Sequence, residues 1–173
     1  SNGQIYKSAS ALIHDSFPPF DAPSAATRIA EREGRTQEEV LEEWKEKTEK
    51  ACAFGTRCHE LAEYVLMGGR SGAAHFPSDE KEELAYRCVR NAVRMLQERF
   101  KLISCEIVLF SPANGISGPC DLLMRGKDGR YLLLDYKTNE NLNKHHYNMG
   151  YEPFEDLKDN PMGHYSLQLS IYE

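Results

Sequence analysis

The chain has 173 residues, of which 40% are hydrophobic and 28% are charged. That length suits one domain with a substantial core, the composition is typical of a soluble globular protein, and no apolar run approaches the roughly 20 residues that a bilayer-spanning helix needs. The formal net charge of −6 has the wrong sign for a protein that coats nucleic acid by bulk electrostatic attraction. It does not exclude a catalyst, because a metal site needs carboxylates and DNA contacts can be left to a local basic patch.

The five cysteines are odd in number, widely spaced and without a CxxC pair, which argues against a structural zinc ribbon. The start, Ser1-Asn2-Gly3, lacks the charged and apolar leader of a secreted protein. We therefore expect free thiols and a cytoplasmic protein.

The first part of the chain is predicted to be helical. Residues 6–20 hold a short apolar stretch that ends in a turn or docking segment, Phe-Pro-Pro-Phe at 17–20. A helix is predicted over 37–54, where Thr36 is a plausible N-cap and Glu39 completes a capping box. The dense Glu and Lys residues of this helix indicate a solvated face.

Two more helices are predicted before the first strand. One covers 55–67 and is ended by Gly68 and Gly69, and the other covers 79–100 with Ser78 as its N-cap. The core stripe of the second has helical spacing and consists of Val89, Val93, Leu96 and Phe100.

The second half is predicted to form a sheet and a final helix. The predicted strands are 102–110, 116–124 and 131–138. The Asp-Gly pair in the turn 125–130 indicates a hairpin. A long polar loop follows over 139–164, with His145 and His146 as solvated residues, and helical character resumes over 164–173. This order predicts an α/β fold with a mixed central sheet.

The most informative feature is that the predicted hairpin carries two carboxylates and a lysine. Asp121 follows a Gly-Pro pair and precedes two leucines, whereas Asp135 and Lys137 follow the apolar run 131–134. Residues two apart in a strand share a face, so Asp135 and Lys137 should project side by side. Two carboxylates that can hold a divalent cation, with a lysine beside them, suit phosphodiester hydrolysis. The alternatives are a salt-bridged pair on an edge strand and, for Asp121, backbone hydrogen bonds in a turn.

Four other residues are candidates with open alternatives. Glu106 interrupts an apolar strand. It is either a metal ligand or an outer-shell carboxylate, or it reflects the ordinary alternation of a half-exposed strand. His59 lies one helical turn after Gly55, a glycine that permits close approach of the helix, and is either a metal ligand or an ordinary core or surface histidine. Gln168 and Tyr172 are i,i+4 on one helical face. In one interpretation Gln168 positions a phosphate or the lysine and Tyr172 contacts the DNA backbone. In the other, both are incidental polar groups on a docking helix.

Taken together, these residues resemble the PD-(D/E)xK nuclease superfamily, in its RecB-like exonuclease branch with Cas4-like and mitochondrial genome maintenance exonuclease-like proteins. The resemblance implies a restriction-endonuclease-like core, with a mixed central sheet flanked by helices. One domain would then cover 1–173, with an N-terminal helical region at 1–54 and the nuclease core at 55–173. The matching segments run in chain order: 55–59, Glu106, 118–121, 135–137 and 168–172.

The resemblance also implies the roles of the site residues. Asp121, Asp135 and Lys137 would be catalytic, with Lys137 assisting the water, and Gln168 and Tyr172 would line the DNA path. Glu106 matches less securely and stays a candidate outer-shell residue. One or two Mg²⁺ or Mn²⁺ ions would be held by His59, Asp121, Asp135 and the carbonyl of Tyr136.

The expected function is that of a metal-dependent DNA nuclease, an exonuclease acting on single-stranded ends. Its partner would be DNA and not a membrane, and family analogy suggests replication, recombination or repair, with a phage origin. The alternatives are an inactive or partner-dependent nucleic-acid-binding module and a phosphohydrolase acting on small molecules.

The sequence departs from the family in two respects. All five cysteines precede Asp135, so we expect no iron–sulfur cluster of the type found in some members. The family usually continues beyond the last helix, whereas this sequence ends at Glu173, so we expect a truncated core or one without its closing element.

Overall fold

A computed structural model describes residues 5–69, 77–143 and 148–173, so that His145 and His146 lie outside the described residues. Over these ranges the chain forms five helices and a four-stranded mixed sheet, as expected for an α/β fold. In chain order the elements are β1 (Lys7–Ser8), α1 (Ala9–Asp15), α2 (Ala22–Glu33), α3 (Gln37–Leu66), α4 (Glu80–Arg99), β2 (Phe100–Ser111), β3 (Ile116–Gly126), β4 (Tyr131–Leu134) and α5 (Pro161–Tyr172).

Strand β3 is the centre of the sheet. It pairs antiparallel with β2 along nearly its whole length, and with β4 over Leu122 to Arg125. The short β1 pairs in parallel with the first two residues of β3, which makes the sheet mixed. The predicted hairpin between β3 and β4 is confirmed, with Gly129 at φ 86° and the Gly126 N–H donating to the carbonyl of Arg130 at 2.8 Å. This geometry suits glycine, which adopts positive φ without a Cβ clash.

Strand β4 ends at Leu134, four residues earlier than predicted. The Tyr136 N–H is hydrogen-bonded to the carboxylate of Asp121 at 2.6 Å. A side chain thus takes the donor that a continued strand would have placed in the sheet, and residues 135–138 leave the ladder. The segment that carries Asp135 and Lys137 is therefore not part of a strand, although it follows β4 directly.

The prediction of two helices over 37–67 was wrong, because α3 is one helix of 30 residues that crosses the expected boundary at residue 54. Gly55 lies within this helix, where a glycine costs about 1 kcal/mol of stability relative to alanine. A Cβ at this position would lie 3.3 Å from Oγ1 of Thr138, so the glycine allows close packing of the segment after β4 rather than ending the helix. The capping box of Thr36 and Glu39 is confirmed.

Other helix boundaries also differ from the predictions. Helix α2 was not predicted; it is capped by Asp21 and ends at Glu33, with Gly34 as its C-cap. Helix α4 is capped by Asp79 rather than Ser78, and α5 begins at Pro161 with Asn160 as its cap, three residues before the predicted start. In each of these helices the N-cap side chain accepts a hydrogen bond from a backbone N–H of the first turn, which satisfies an otherwise unpaired donor.

In the described ranges, three apolar clusters hold these elements together, and one of them, Ala26, Ala30 and Val40, packs α2 on α3. Of the other two, the first joins α3 and α4 to β3 through five buried residues: Ala62, Leu66, Val93, Leu122 and Met124. The predicted stripe of α4 is confirmed, because Val89, Leu96 and Phe100 also pack here. The second cluster joins α1 to α5 through Ile13, Phe17 and Leu167. These two clusters bring α3 and α5 to the end of β4.

Candidate functional site

Strand β3 places Asp121 between two fully buried neighbours, Cys120 and Leu122. Its carboxylate Oδ2 accepts the hydrogen bond from the N–H of Tyr136. Burial raises the pKa of Asp121, and the nearby charge of Asp135 raises it further, against the opposing effect of the Tyr136 N–H. A carboxylate in this position is satisfied only in part by its protein surroundings, which favours a cation as an additional partner.

Helix α3 brings His59 to the same place. Its Nδ1 lies 3.5 Å from Oδ2 of Asp121, and its Nε2 lies 3.1 Å from the carbonyl oxygen of Tyr136. The ring also meets the ring of Tyr136 edge to face, with centroids 5.5 Å apart. The close approach at Gly55, one turn earlier, holds the helix against this segment. The imidazole nitrogens therefore face two oxygens of the kind that bind cations.

Glu106 reaches this group through an unusual backbone conformation within β2. Its φ is 49°, and it is the one non-glycine residue with positive φ in the described ranges. The flanking pairs, Cys105–Leu122 and Ile107–Cys120, place it opposite Asp121. Such a conformation costs on the order of 1–3 kcal/mol and is concentrated at functional sites. Burial, followed by the charge of Asp121, raises the pKa of Glu106.

One ligand atom from each of His59, Glu106 and Asp121 lies within 4.8 Å of the other two. The carboxylate of Asp135 is not part of this group among the described residues. It lies beside the group, because the next residue in the chain, Tyr136, contacts two of its members. The N–H of Tyr136 donates to Asp121, and its carbonyl oxygen faces His59. We call His59, Glu106, Asp121 and the Tyr136 carbonyl the acid–histidine cluster.

Asp135 and Lys137 project side by side as expected and form an ion pair through Oδ2 of Asp135. The ammonium also lies over the ring of Tyr165, 4.4 Å from its centroid. Oδ2 of Asp135 is buried, and no described group donates an aligned hydrogen bond to it. The Lys137 ammonium is therefore the charge partner of this buried oxygen.

Gln168 and Tyr172 of α5 support Asp135 from the other side. The Gln168 side-chain amide donates to Oδ1 of Asp135 at 3.0 Å and to the Tyr172 hydroxyl at 3.2 Å. The Tyr172 hydroxyl donates to the Pro119 carbonyl at 2.7 Å. A Cβ on Gly118 would lie 2.6 Å from that hydroxyl oxygen, so the glycine admits the ring. The pair links α5 to β3 and Asp135, and its predicted contact with DNA stays a prediction.

A cleft of about 1130 Å³ adjoins this site between α3, the start of α4 and residues 138–141. Its four cationic side chains are each paired with a carboxylate: Lys47 with Glu43, Lys50 with Glu46, Arg57 with Glu82, and Lys81 with Glu140. Exposed pairs of this kind contribute about 0–1 kcal/mol, so a polyanion can displace them.

The pair of Arg57 and Glu82 is different because Glu82 is only 4% exposed. Hydrogen bonds from Ser78, together with Arg57, lower the pKa of Glu82 to about 2. The sequence reasoning missed this pair and the Tyr165 ring. One spacing could have indicated the ring, since Tyr165 lies three residues before Gln168 and therefore on the same helical face. The partner of Arg57 is 25 residues away and gives no local signal.

Among the described residues, no helix has the length and apolar character required to cross a membrane. Comparisons of the chain with protein-family models, with curated proteins and with solved structures found no match. The chemistry assigned to this chain therefore rests on its own residues and their geometry.

Proposed function

We propose that this protein is a metal-dependent DNA nuclease of the PD-(D/E)xK type, with a restriction-endonuclease-like core, that acts on single-stranded ends as RecB-like exonucleases do. The observation that carries the proposal is the acid–histidine cluster next to the pair of Asp135 and Lys137. The ligand atoms of His59, Glu106 and Asp121 come from α3, β2 and β3 and lie within 4.8 Å of one another. The pair of Asp135 and Lys137 lies in the adjoining segment after β4.

The donor set fits Mg²⁺ or Mn²⁺. Both ions prefer oxygen ligands, and Mn²⁺ also accepts imidazole nitrogen. His59, Asp121, Asp135 and the Tyr136 carbonyl would hold the ion, with Glu106 as a further carboxylate. The clustering of buried carboxylates supports this assignment, because such groups cost free energy without a compensating charge. A bound ion would lower the pKa of an attacking water and neutralise charge on the phosphate.

The protein groups around the ion site have separate roles in this proposal. The Lys137 ammonium holds a water or a phosphate oxygen and stabilises negative charge that develops on the phosphate. The Gln168 amide fixes the orientation of Asp135 through its other oxygen. The Tyr136 N–H does the same for Asp121. A site whose donors are already oriented requires little reorganisation during the reaction.

Cleavage of end-labelled single-stranded DNA in Mn²⁺ or Mg²⁺ tests the proposal. We expect Asp121→Asn and Lys137→Ala to lose cleavage by 100-fold or more, on the order of what single electrostatic groups contribute in enzymes. Lys127→Ala is the matched control, because Lys127 is an exposed lysine in the turn of the same hairpin. Cleavage that survives both site substitutions would contradict the proposal.

Two other results would favour the alternatives. Tight DNA binding by the intact protein without cleavage in either metal favours a binding module. Metal-dependent hydrolysis of a small phosphodiester without cleavage of DNA favours a small-molecule phosphohydrolase. The acid–histidine cluster is compatible with either substrate, so this comparison decides between them.

A further inference from the structure

Tyr165 connects the candidate site to a second cavity. Its ring contacts the Lys137 ammonium and also lines a cavity of about 380 Å³ between α5 and the segment after α1. We call this cavity the Tyr165 pocket. Its volume lies within the range of about 300–1000 Å³ that is usual for small-ligand sites.

The walls of the pocket are flat and mostly apolar. They include Phe17, Pro18, Pro19 and Phe20, the segment whose role the sequence left open as a turn or docking element. Phe17 is 3% exposed and packs between α1 and α5, and its ring stacks on the ring of His164 with centroids 4.1 Å apart. The two prolines fix their own φ, so the wall is largely set before any ligand arrives.

The mouth of the pocket carries an exposed aromatic ring. Phe20 is 72% exposed, although Phe17, three residues earlier in the chain, is buried. Its ring lies 6.0 Å from the ring of Trp44 on α3, which is the one tryptophan in the sequence. A large exposed aromatic ring beside a preformed cavity can serve as a stacking platform for a planar ligand.

The polar end of the pocket is a carboxylate and an imidazole. Nε2 of His164 lies 2.9 Å from Oδ1 of Asp159, and the Asp159 side chain is 15% exposed. Among the described residues, no group donates a hydrogen bond to Oδ2 of Asp159. This oxygen can therefore accept from an amino group on the rim of a ligand that lies between the flat walls.

We propose that the Tyr165 pocket binds one unpaired nucleobase next to the phosphate at Lys137, and that it favours bases with an exocyclic amino group over thymine. Aromatic and proline walls suit the π-face of a base. The carboxylate accepts from an exocyclic amino group, whereas the N3–H of thymine is flanked by two carbonyl oxygens that repel a carboxylate. The inference rests on the proposed function and adds the reason for single-strand preference, because a base enters such a pocket only when it is unpaired.

Trp44 provides a binding assay that does not depend on cleavage. In metal-free protein we expect deoxycytidine 5′-monophosphate to change Trp44 fluorescence at lower concentration than thymidine 5′-monophosphate does. For oligonucleotides of 12 residues, Phe20→Ala should weaken binding of oligo-dC by about 5- to 100-fold, the effect of losing one stacked base. Met162→Ala is the control, because Met162 is an exposed side chain at the start of α5.

Asp159→Asn tests the polar end without removing the shape of the side chain. Its amide can still pair with His164, but it presents a donor as well as an acceptor, so the preference for oligo-dC over oligo-dT should disappear or reverse. Equal affinity of the wild type for oligo-dC and oligo-dT, or unchanged affinity in Phe20→Ala, overturns the pocket assignment. If Mn²⁺-dependent cleavage persists in that case, the nuclease proposal stands alone. A wild type that neither binds nor cleaves DNA overturns both.

Discussion

Asp121→Asn should raise the stability of the metal-free protein while it removes the response to Mn²⁺. In the wild type the carboxylates of Asp121 and Glu106 approach within 4.8 Å. Two unit charges at that distance repel by about 3 kcal/mol at an effective dielectric constant of about 20. The asparagine oxygen keeps the hydrogen bond from Tyr136, but a bond to a neutral acceptor is weaker by about 1 kcal/mol. The net expectation is a gain of about 1–2 kcal/mol.

Thermal unfolding measures both effects in one experiment. A gain of about 1–2 kcal/mol corresponds to an increase in Tm of about 2–8 °C for a chain of this size. At a Mn²⁺ concentration of 100 times Kd, the wild type should gain about 2.7 kcal/mol and the variant almost nothing. The order of Tm values should therefore reverse when the metal is added. A variant that is less stable without metal, or that gains as much from Mn²⁺ as the wild type, refutes the reasoning.

Three further predictions concern the surroundings of the site. Glu106→Asn should stabilise the metal-free protein by about 1 kcal/mol, because asparagine adopts the left-handed region more readily, and it should weaken Mn²⁺ binding measured by calorimetry. The lowered pKa of Glu82, about 2 against a usual 4.5, contributes stability above pH 4.5 that is lost as the pH falls toward 2. The free energy of unfolding of Glu82→Gln, measured in urea, should lack this part of the pH dependence. A profile unchanged from the wild type would contradict the prediction. Gly118→Ala should destabilise by about 1–3 kcal/mol, because its Cβ meets the Tyr172 ring, and a double-mutant cycle with Tyr172→Leu should show coupling between the two sites; additive effects would argue against the contact.

The sequence predicts those parts of the fold that depend on local chemistry. The capping box at Thr36 and the turn at Gly129 follow from side chains and φ preferences within a few residues. Strand β2 follows from a long apolar run, and the Asp-Gly turn indicates the hairpin of β3 and β4. Helix α2 gave no such pattern, because its buried residues are the small Ala26 and Ala30, which contribute little to an apolar stripe.

The remaining features depend on contacts between distant residues. Gly55 was wrongly interpreted as the start of a helix; the close approach that it permits is confirmed, but its partner, Thr138 in the segment after β4, has no local sequence signal. The end of β4 depends on Asp121, which takes the N–H of Tyr136. The positive φ of Glu106 has no local sequence signal, since glutamate does not favour that region. The side-by-side placement of Asp135 and Lys137 was predictable because it needs only the period of an extended chain.

The hydrogen bonds that hold the segment after β4 have a consequence for the order of folding. They join Tyr136 to residues 15 and 77 positions away, and Asp135 to a residue 33 positions away. Contacts of such long sequence separation form slowly, because the entropy of closing the intervening chain must be overcome first. The groups of the candidate site are thus assembled only when helix α3, the hairpin and helix α5 have all docked. A nascent or partly unfolded chain contains every residue of the site but none of its geometry, so the proposed activity would be withheld until folding is complete.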